Sequence, residues 1–237
     1  MNRPWVIRMR WLNLLFAHWP VDAHVLASRI PSALQLDLFD GQAWLGIVPF
    51  TMADVAPRGV PALGQFSRFP EINVRTYVRH GGLPGIYFLS LDAASRPTVE
   101  GGRRAFHLPY FHARMSAART GADTVYRTER IDRRGPPAAF EARYGPIGPI
   151  DLAAPGSLEA WLTDRMRLFS VDRRGRIWRT EIAHEAWPLQ PAQADITRET
   201  MARAHGLELP DVAPHLRYAA RLDVRGWAPA RATKGRA

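Results

Sequence analysis

Hydrophobic and polar side chains alternate along much of this chain, a pattern that predicts β-strands with one buried face. Residues 71–79 show the alternation best, because their even positions are all β-branched. Their odd positions form a polar face made of Glu71, Asn73, Arg75, Tyr77 and Arg79. On a solvent-facing side such residues need no explanation, whereas inside a barrel they form a binding surface.

Turns rich in glycine separate the apolar segments and predict hairpins. Three hairpins are expected, in residues 34–50, 71–92 and 168–184. Further strands are expected in residues 111–118, 124–132, 138–144, 194–196 and 215–224. Residues 5–19 are apolar without a clear period, so they fit either a strand or a helix.

Few helices are predicted. Asp22 is a candidate N-cap for a helix in residues 21–29 with Val25, Leu26 and Ile30 on one face, and Ser157 is a candidate N-cap for residues 158–165. Residues 93–105 are helical or irregular, and 198–205 form a last helix. Many short strands with few helices predict an α+β fold, a mostly antiparallel β-barrel or cone with a few peripheral helices. One domain is expected over residues 1–227, followed by a polar, frayed tail in 228–237.

Composition narrows the class of protein. The content of 46% hydrophobic and 23% charged residues is typical of a globular chain, and the apolar runs are shorter than the roughly 20 residues of a membrane span. The first residues lack the apolar region of a secretion signal, which favours a cytoplasmic location. The absence of cysteine excludes disulfides, thiolate nucleophiles and zinc–thiolate sites.

The formal charge of +10 suggests a nucleic-acid or membrane partner, but its distribution favours neither. Nearly all basic residues are arginines, with Lys234 the only lysine, and they are scattered along the chain. Pairs such as Arg133-Arg134 and Arg173-Arg174 lie beside glycines in predicted turns. We therefore expect a solvated basic surface and neither a nucleic-acid nor a membrane partner.

No catalytic motif stands out along the chain. Ser90 has no nucleophile-elbow glycines, which argues against a hydrolase triad. The histidines show no ligand spacing with Asp or Glu, so no metal and no other cofactor is predicted. His107 and His112 lie five positions apart, so a strand would direct their side chains to opposite faces.

Several motifs together resemble the YqjF-like proteins, a family without an established function that is placed in the acetoacetate decarboxylase-like superfamily. The motifs are LFAHWP (15–20), FPEINVRTYV (69–78), GIYFLSLD (85–92), LPYFHA (108–113), FEARY (140–144) and WPL (187–189). The similarity covers roughly residues 11–227. It implies a barrel or cone of antiparallel strands around a central cavity.

The resemblance also implies roles for residues near that cavity. Glu71 matches a cavity glutamate of the superfamily and is the candidate acid or base. Tyr110, within His107-Leu108-Pro109-Tyr110-Phe111, stands where the decarboxylases carry a Schiff-base lysine. Because a phenol cannot form an iminium, Schiff-base decarboxylation is not expected. Arg75 has two interpretations, an ion pair with Glu71 in the barrel wall or a clamp for a carboxylate or enolate.

The predicted function is binding of a small carboxylate or carbonyl compound, with acid–base chemistry of the lyase or isomerase type. The candidate catalytic residues are Glu71, Tyr110 and His112. The candidate substrate-binding residues are Arg75, Asn73, Tyr77, Tyr87, His107 and Trp19. The alternative is a non-enzymatic ligand-binding protein or an oligomeric scaffold such as a homodimer.

Overall fold

The computed structural model describes residues 3–62 and 64–232, and its strands form one continuous hydrogen-bonded sheet. The strands are β1 (Ile7–Val21), β2 (Gln35–Leu36), β3 (Ala43–Pro57), β4 (Phe69–His80), β5 (Leu83–Ala93), β6 (Tyr110–Thr120), β7 (Asp123–Arg130), β8 (Ala139–Pro146), β9 (Arg167–Val171), β10 (Ile177–Ala183), β11 (Leu189–Glu199), β12 (His215–Gly226) and β13 (Ala230–Arg231). The α-helices are α1 (Ala23–Ala27), α2 (Arg96–Ala105) and α3 (Leu158–Thr163). Short 3₁₀ turns span Gly64–Ser67 and Arg203–His205.

Two closed circuits of strands share β12, β1, β3, β4 and β5. The first runs through β6, β7, β8 and β11 and closes a nine-strand barrel. The second closes through β9 and β10, because β5 pairs with β9 and β10 pairs with β12. Only the pairings of β5 with β6 and β9 are parallel among the described strands. The mostly antiparallel barrel with few helices is therefore confirmed.

The two circuits differ in what they enclose. The nine-strand barrel is filled by a solid core that includes Leu15, Ile47, Val74, Tyr126 and Phe140. The second circuit surrounds an open cavity, capped by α2. Strands β1, β3 and β4 therefore have one face against a packed interior and the other against a hollow one.

Two of the three predicted hairpins form as expected, β4 with β5 and β9 with β10. The prediction of a hairpin in residues 34–50 is wrong. Strand β2 pairs with β4, with Leu36 opposite Val78. The pairing of β3 with β4 stops at Leu45 opposite Thr76, so the end of β4 at residues 78–79 is open to β2, while β1 covers the other edge of β3. Only a single bridge, Phe39 with Gln42, remains across the Asp40-Gly41 turn.

The predicted helix in residues 198–205 is also wrong. Strand β11 continues to Glu199 because its pairing with β8 extends as far as Phe140, so the hydrogen bonds of this backbone go to a sheet. Only the Arg203–His205 turn is helical, and it ends at Gly206 with φ of 66°. In α1 the Asp22 cap is confirmed, but Val25 is exposed while Leu26 is buried.

Two predictions from the sequence concern the ends of the chain. Residues 5–19, which fitted either a strand or a helix, lie largely in β1. Part of the predicted tail joins the sheet, because Ala230 and Arg231 pair with Arg179 and Trp178 of β10. Residues 233–237, with Lys234, lie outside the described part of the chain. No helix in the described ranges has the length and apolar character needed to cross a membrane.

A fully buried ion pair holds the junction where β5 meets β6. The Arg130 guanidinium donates to Asp92 from Nε and Nη2, at 2.9–3.1 Å, and from Nη1 to the Pro136 carbonyl at 3.1 Å. Both side chains are 0% exposed, and the Phe111 ring covers the guanidinium at 4.1 Å. Removal of one partner would leave the other as an uncompensated buried charge.

We therefore expect Arg130→Met to lower the free energy of unfolding by about 3–5 kcal/mol in urea denaturation. The double variant Asp92→Leu/Arg130→Met should recover much of that loss, because no buried charge is left without a partner. The exposed pair of Arg114 and Glu129 supplies the control, and Arg114→Met should change stability little. An equal loss in the free energy of unfolding for Arg130→Met and Arg114→Met would contradict the role of the buried pair.

Candidate functional site

A cavity of about 320 Å³ lies inside the second circuit of strands. Most of its wall is apolar and comes from β1, β3, β5, β10 and the first residue of β4. It includes Met9, Trp11, Leu14, Val48, Phe50, Met52, Val55, Phe69, Phe88, Leu91 and Ile182. A smaller set of polar side chains comes from β4, β6, β9, β10, α2 and the segment just before β9. Cavities of this size with a few convergent polar groups are the common form of small-molecule sites.

Strand β4 contributes three of those polar groups. Glu71, Asn73 and Arg75 line the cavity and are only 2%, 5% and 6% exposed, respectively. The intervening Ile72 and Val74 are fully buried in the solid core on the other side of the sheet. The period of two that is visible in the sequence therefore separates core residues from cavity residues along this strand.

Glu71 is a carboxyl group with a raised pKa. Burial raises the pKa of Glu71 to about 8, the nearby Asp92 adds to the effect, and a hydrogen bond from Tyr110 opposes it. The Tyr110 hydroxyl donates to both carboxyl oxygens, at 3.2 and 3.1 Å. At neutral pH the Glu71 carboxyl is therefore mostly protonated, and it is buried beside a phenol.

Tyr110 is held in place by the helix that caps the cavity. A Cβ on Gly102 of α2 would lie 2.6 Å from Cε2 of Tyr110, so only glycine lets the helix approach the ring this closely. Arg103 of the same helix donates to the Tyr110 carbonyl at 2.6 Å. Burial and the neighbouring Glu71 raise the pKa of Tyr110 well above its usual range, so the phenol keeps its proton.

Arg75 carries a buried positive charge without a carboxylate partner in the described residues. Its Nη2 donates to the Leu162 carbonyl at 3.3 Å and to the Tyr77 hydroxyl at 3.4 Å. Its guanidinium lies 5.2 Å from the Phe16 ring centroid, and its Nε is buried without a hydrogen-bond partner. The ion pair between Glu71 and Arg75, one of the two interpretations from sequence, does not form.

Tyr77 and His18 lie next to Arg75 but do not line the cavity. The Tyr77 hydroxyl donates to the Leu162 carbonyl at 2.9 Å and lies 2.7 Å from Nε2 of His18. Burial and the Arg75 charge hold the pKa of His18 well below its usual range, so this imidazole stays neutral. The approach depends on Gly46, where a Cβ would lie 2.7 Å from Nε2 of His18 and 3.3 Å from Cγ of Arg75.

Further polar groups reach the cavity from β1, β9, β10 and the segment just before β9. Arg165, between α3 and β9, is bound to Asp37 at 2.6 Å and leaves its Nη2 without a partner. Arg167 and Thr180 also line the cavity, and each has a buried polar atom without a hydrogen-bond partner, as does Trp11 at its indole nitrogen. They lie far from β4 in sequence and form no motif with it, so no pattern marked them.

Several predicted site residues lie away from the cavity. Trp19 is in the solid core, and Tyr87 packs outside the cavity because the next residue, Phe88, faces it. The His107 ring lies 5.0 Å from that of Trp178. His112 follows Tyr110 on β6, but only the first residue of that strand reaches the cavity before β6 continues into the nine-strand barrel.

Of the nine predicted site residues, four line the cavity together: Glu71, Asn73, Arg75 and Tyr110. Tyr77 does not line it but touches Arg75. His18 was not among the candidates, although it lies in one of the motifs that suggested the family.

Comparison with known proteins agrees with this architecture. The DUF2071 family, described as an uncharacterized conserved protein, matches residues 8–223. The uncharacterized protein YqjF of Bacillus subtilis (strain 168) is 43% identical over 223 residues, which cover 94% of this chain and 91% of that protein.

Solved structures share the fold at low sequence identity. The enduracididine biosynthesis enzyme MppR with HEPES buffer bound gives a TM-score of 0.69 at 12% identity, covering 100% of this chain and 90% of that one. MppR complexed with pyruvate gives a TM-score of 0.67 at 11% identity, and the match covers 99% of this chain and 93% of that one. Acetoacetate decarboxylase from Legionella pneumophila gives a TM-score of 0.68 at 14% identity, and the match covers 98% of this chain and 92% of that one.

At these identities the solved structures establish the fold alone. The family match, by contrast, spans both circuits of strands and nearly the whole length of the chain. This protein therefore belongs to the DUF2071 family and has the acetoacetate decarboxylase-like barrel fold.

Proposed function

We propose that this protein binds a small organic acid that also carries a carbonyl group, and that it transfers a proton on that molecule. The observation that carries the proposal is the buried Arg75 guanidinium, which has no carboxylate within ion-pair distance in the described residues and shares its cavity with Glu71. A bound carboxylate would supply the missing counter-charge.

The other buried arginines of the described chain show how unusual Arg75 is. Arg130 is paired with Asp92 and Arg165 with Asp37. A buried guanidinium left without a counter-ion is costly, and its free Nε donor adds to the cost. A ligand carboxylate would remove both penalties. A solved structure of MppR, which has the same fold, is complexed with pyruvate, a carboxylate with an adjacent ketone.

Glu71 supplies the proton-transfer group. A general acid or base works best when its pKa lies near the operating pH, and burial brings the pKa of Glu71 to about 8. With the ligand carboxylate on Arg75, Glu71 would exchange a proton with the carbonyl oxygen or with the carbon next to it. Tyr110 keeps the carboxyl oriented. The reaction class is enolisation, hydration or dehydration, or a related lyase step.

The mechanism does not use a Schiff base. No lysine lines the cavity among the described residues, and the chain's only lysine, Lys234, lies outside them. Tyr110, at the position where the resemblance places the reactive amine, is a phenol that cannot condense with a ketone. The proposed chemistry therefore rests on proton transfer with non-covalent binding.

Arg75→Met should weaken the binding of 2-oxo acids, measured by calorimetry, by about tenfold or more, because charge-assisted hydrogen bonds contribute roughly 1.5–3 kcal/mol. Arg114→Met removes an exposed guanidinium of the same size and should leave affinity unchanged. Near-ultraviolet circular dichroism reports whether each variant is folded. Undiminished binding by folded Arg75→Met would refute the role of Arg75.

The ionisation of Glu71 can be followed directly by infrared spectroscopy. A band from a protonated carboxyl should disappear with a midpoint near pH 8, and Glu71→Gln should lack that transition. Tyr110→Phe should move the midpoint upward, because the Tyr110 hydrogen bond lowers this pKa. A transition that persists in Glu71→Gln would assign the band to another group.

The same pKa has a consequence for stability. A carboxyl with a raised pKa in the folded state stabilises the protein below its unfolded pKa of about 4.5, and this contribution is lost as the pH rises to about 8. Between these values the free energy of unfolding of the natural protein should fall relative to that of Glu71→Gln. A constant difference across this range would contradict the raised pKa.

Exchange of ligand hydrogens separates an enzyme from a binding protein. In D₂O the natural protein should accelerate deuterium incorporation at the carbon next to the ligand carbonyl, as seen by proton NMR, and Glu71→Gln should not. Tight binding without accelerated exchange would favour the non-enzymatic alternative.

A further inference from the structure

Four polar groups of the cavity lie deep inside it, and most of the lining that reaches its mouth is apolar. Glu71, Asn73, Arg75 and Tyr110 are each no more than 7% exposed. Ile7, Val55 and Ile182 also line the cavity but are partly exposed, and Gly101 and Ala105 of α2 reach the surface. A molecule that enters this cavity therefore meets a largely apolar passage, with Arg167 as its one partly exposed charged side chain in the described chain, before it meets a polar floor.

We infer that the ligand is an amphiphilic 2-oxo acid that binds with its carboxylate on the floor and a sizeable apolar body along the passage. The inference rests on the proposed function, because Arg75 is the group that binds the acid. The inference goes further by describing the part of the ligand that does not contact the floor. Short acids such as pyruvate would occupy only the floor.

Size supports an apolar body. A volume of about 320 Å³ corresponds to about ten waters, at roughly 30 Å³ each in the liquid. That is far more than a three-carbon acid occupies. The unoccupied remainder would be water held against the rings of Trp11, Phe50, Phe69 and Phe88, which is unfavourable compared with apolar contact.

The distribution of charge argues against a second ionic group on the ligand. Apart from Glu71 and Arg75, the charged side chains on the lining are Arg165 and Arg167. Each already has a carboxylate for its charge, Asp37 at 2.6 Å and Glu181 at 3.9 Å, although one nitrogen of each makes no hydrogen bond. The passage formed by Ile7, Val55 and Ile182 offers no counter-charge. A hydrocarbon or aromatic body fits it, whereas a charged one would be desolvated without compensation.

A chain-length series tests the inference by calorimetry. From pyruvate through 2-oxobutanoate and 2-oxohexanoate to 2-oxooctanoate, the Kd should fall about fourfold for each added methylene, the equivalent of about 0.8 kcal/mol. Equal affinity along the series would overturn the inference and leave the proposed function standing. Binding of none of these acids would overturn both, as would equally tight binding of the matching methyl ketones, which lack the carboxylate.

A variant of the passage gives a second test. Val55→Trp narrows the passage without touching the floor, so it should weaken binding of 2-oxooctanoate at least tenfold and leave pyruvate binding unchanged. Val212→Trp, at an exposed loop position, is the matched control and should change neither affinity. Ile182→Phe, on β10, tests another position of the passage and replaces Val55→Trp if that variant does not fold. Unchanged binding of 2-oxooctanoate by a folded passage variant would overturn the inference.

Discussion

The two-sidedness of β4 is the constraint on which the rest of the structure depends. A strand presents successive side chains to opposite faces, and here one face meets a solid core while the other meets a hollow. Ile72 and Val74 fix the register of the strand, because a slip of one residue would put Glu71 and Arg75 into the packed core. The stability of the barrel and the placement of the polar groups are thus secured by the same alternation.

Much of this arrangement was predictable because alternation is a local property. The polar face of residues 71–79 follows from the sequence alone, and the resemblance to a cavity-containing superfamily added Tyr110. The same logic fails for His112, because the sequence does not show where β6 leaves the cavity and enters the nine-strand barrel. It also missed Arg165 and Thr180, whose convergence with β4 depends on how β9 and β10 close the second circuit.

The errors in secondary structure have one physical cause. Residues 34–50 contain a good hairpin turn, yet β2 pairs with the end of β4, which extends beyond the pairing of β3 with β4 and is open on that edge. Residues 198–199 have helix-compatible side chains, yet the open edge of β8 draws them into a ladder. In both cases the competition for strand edges, which is non-local, overrides the local preference.

The cavity contains arginines and no lysine in the described chain, and this has a consequence for reactive ligands. A guanidinium stays protonated across the physiological range and is a poor nucleophile, so it holds a ketone or aldehyde without condensing with it. Among its described residues, such an interior therefore has no side-chain amine that could form a Schiff base with a ketone or an aldehyde. A carbonyl compound in such a pocket would be held by hydrogen bonds and charge alone, whereas a pocket of the same shape with a lysine could hold it as a covalent imine.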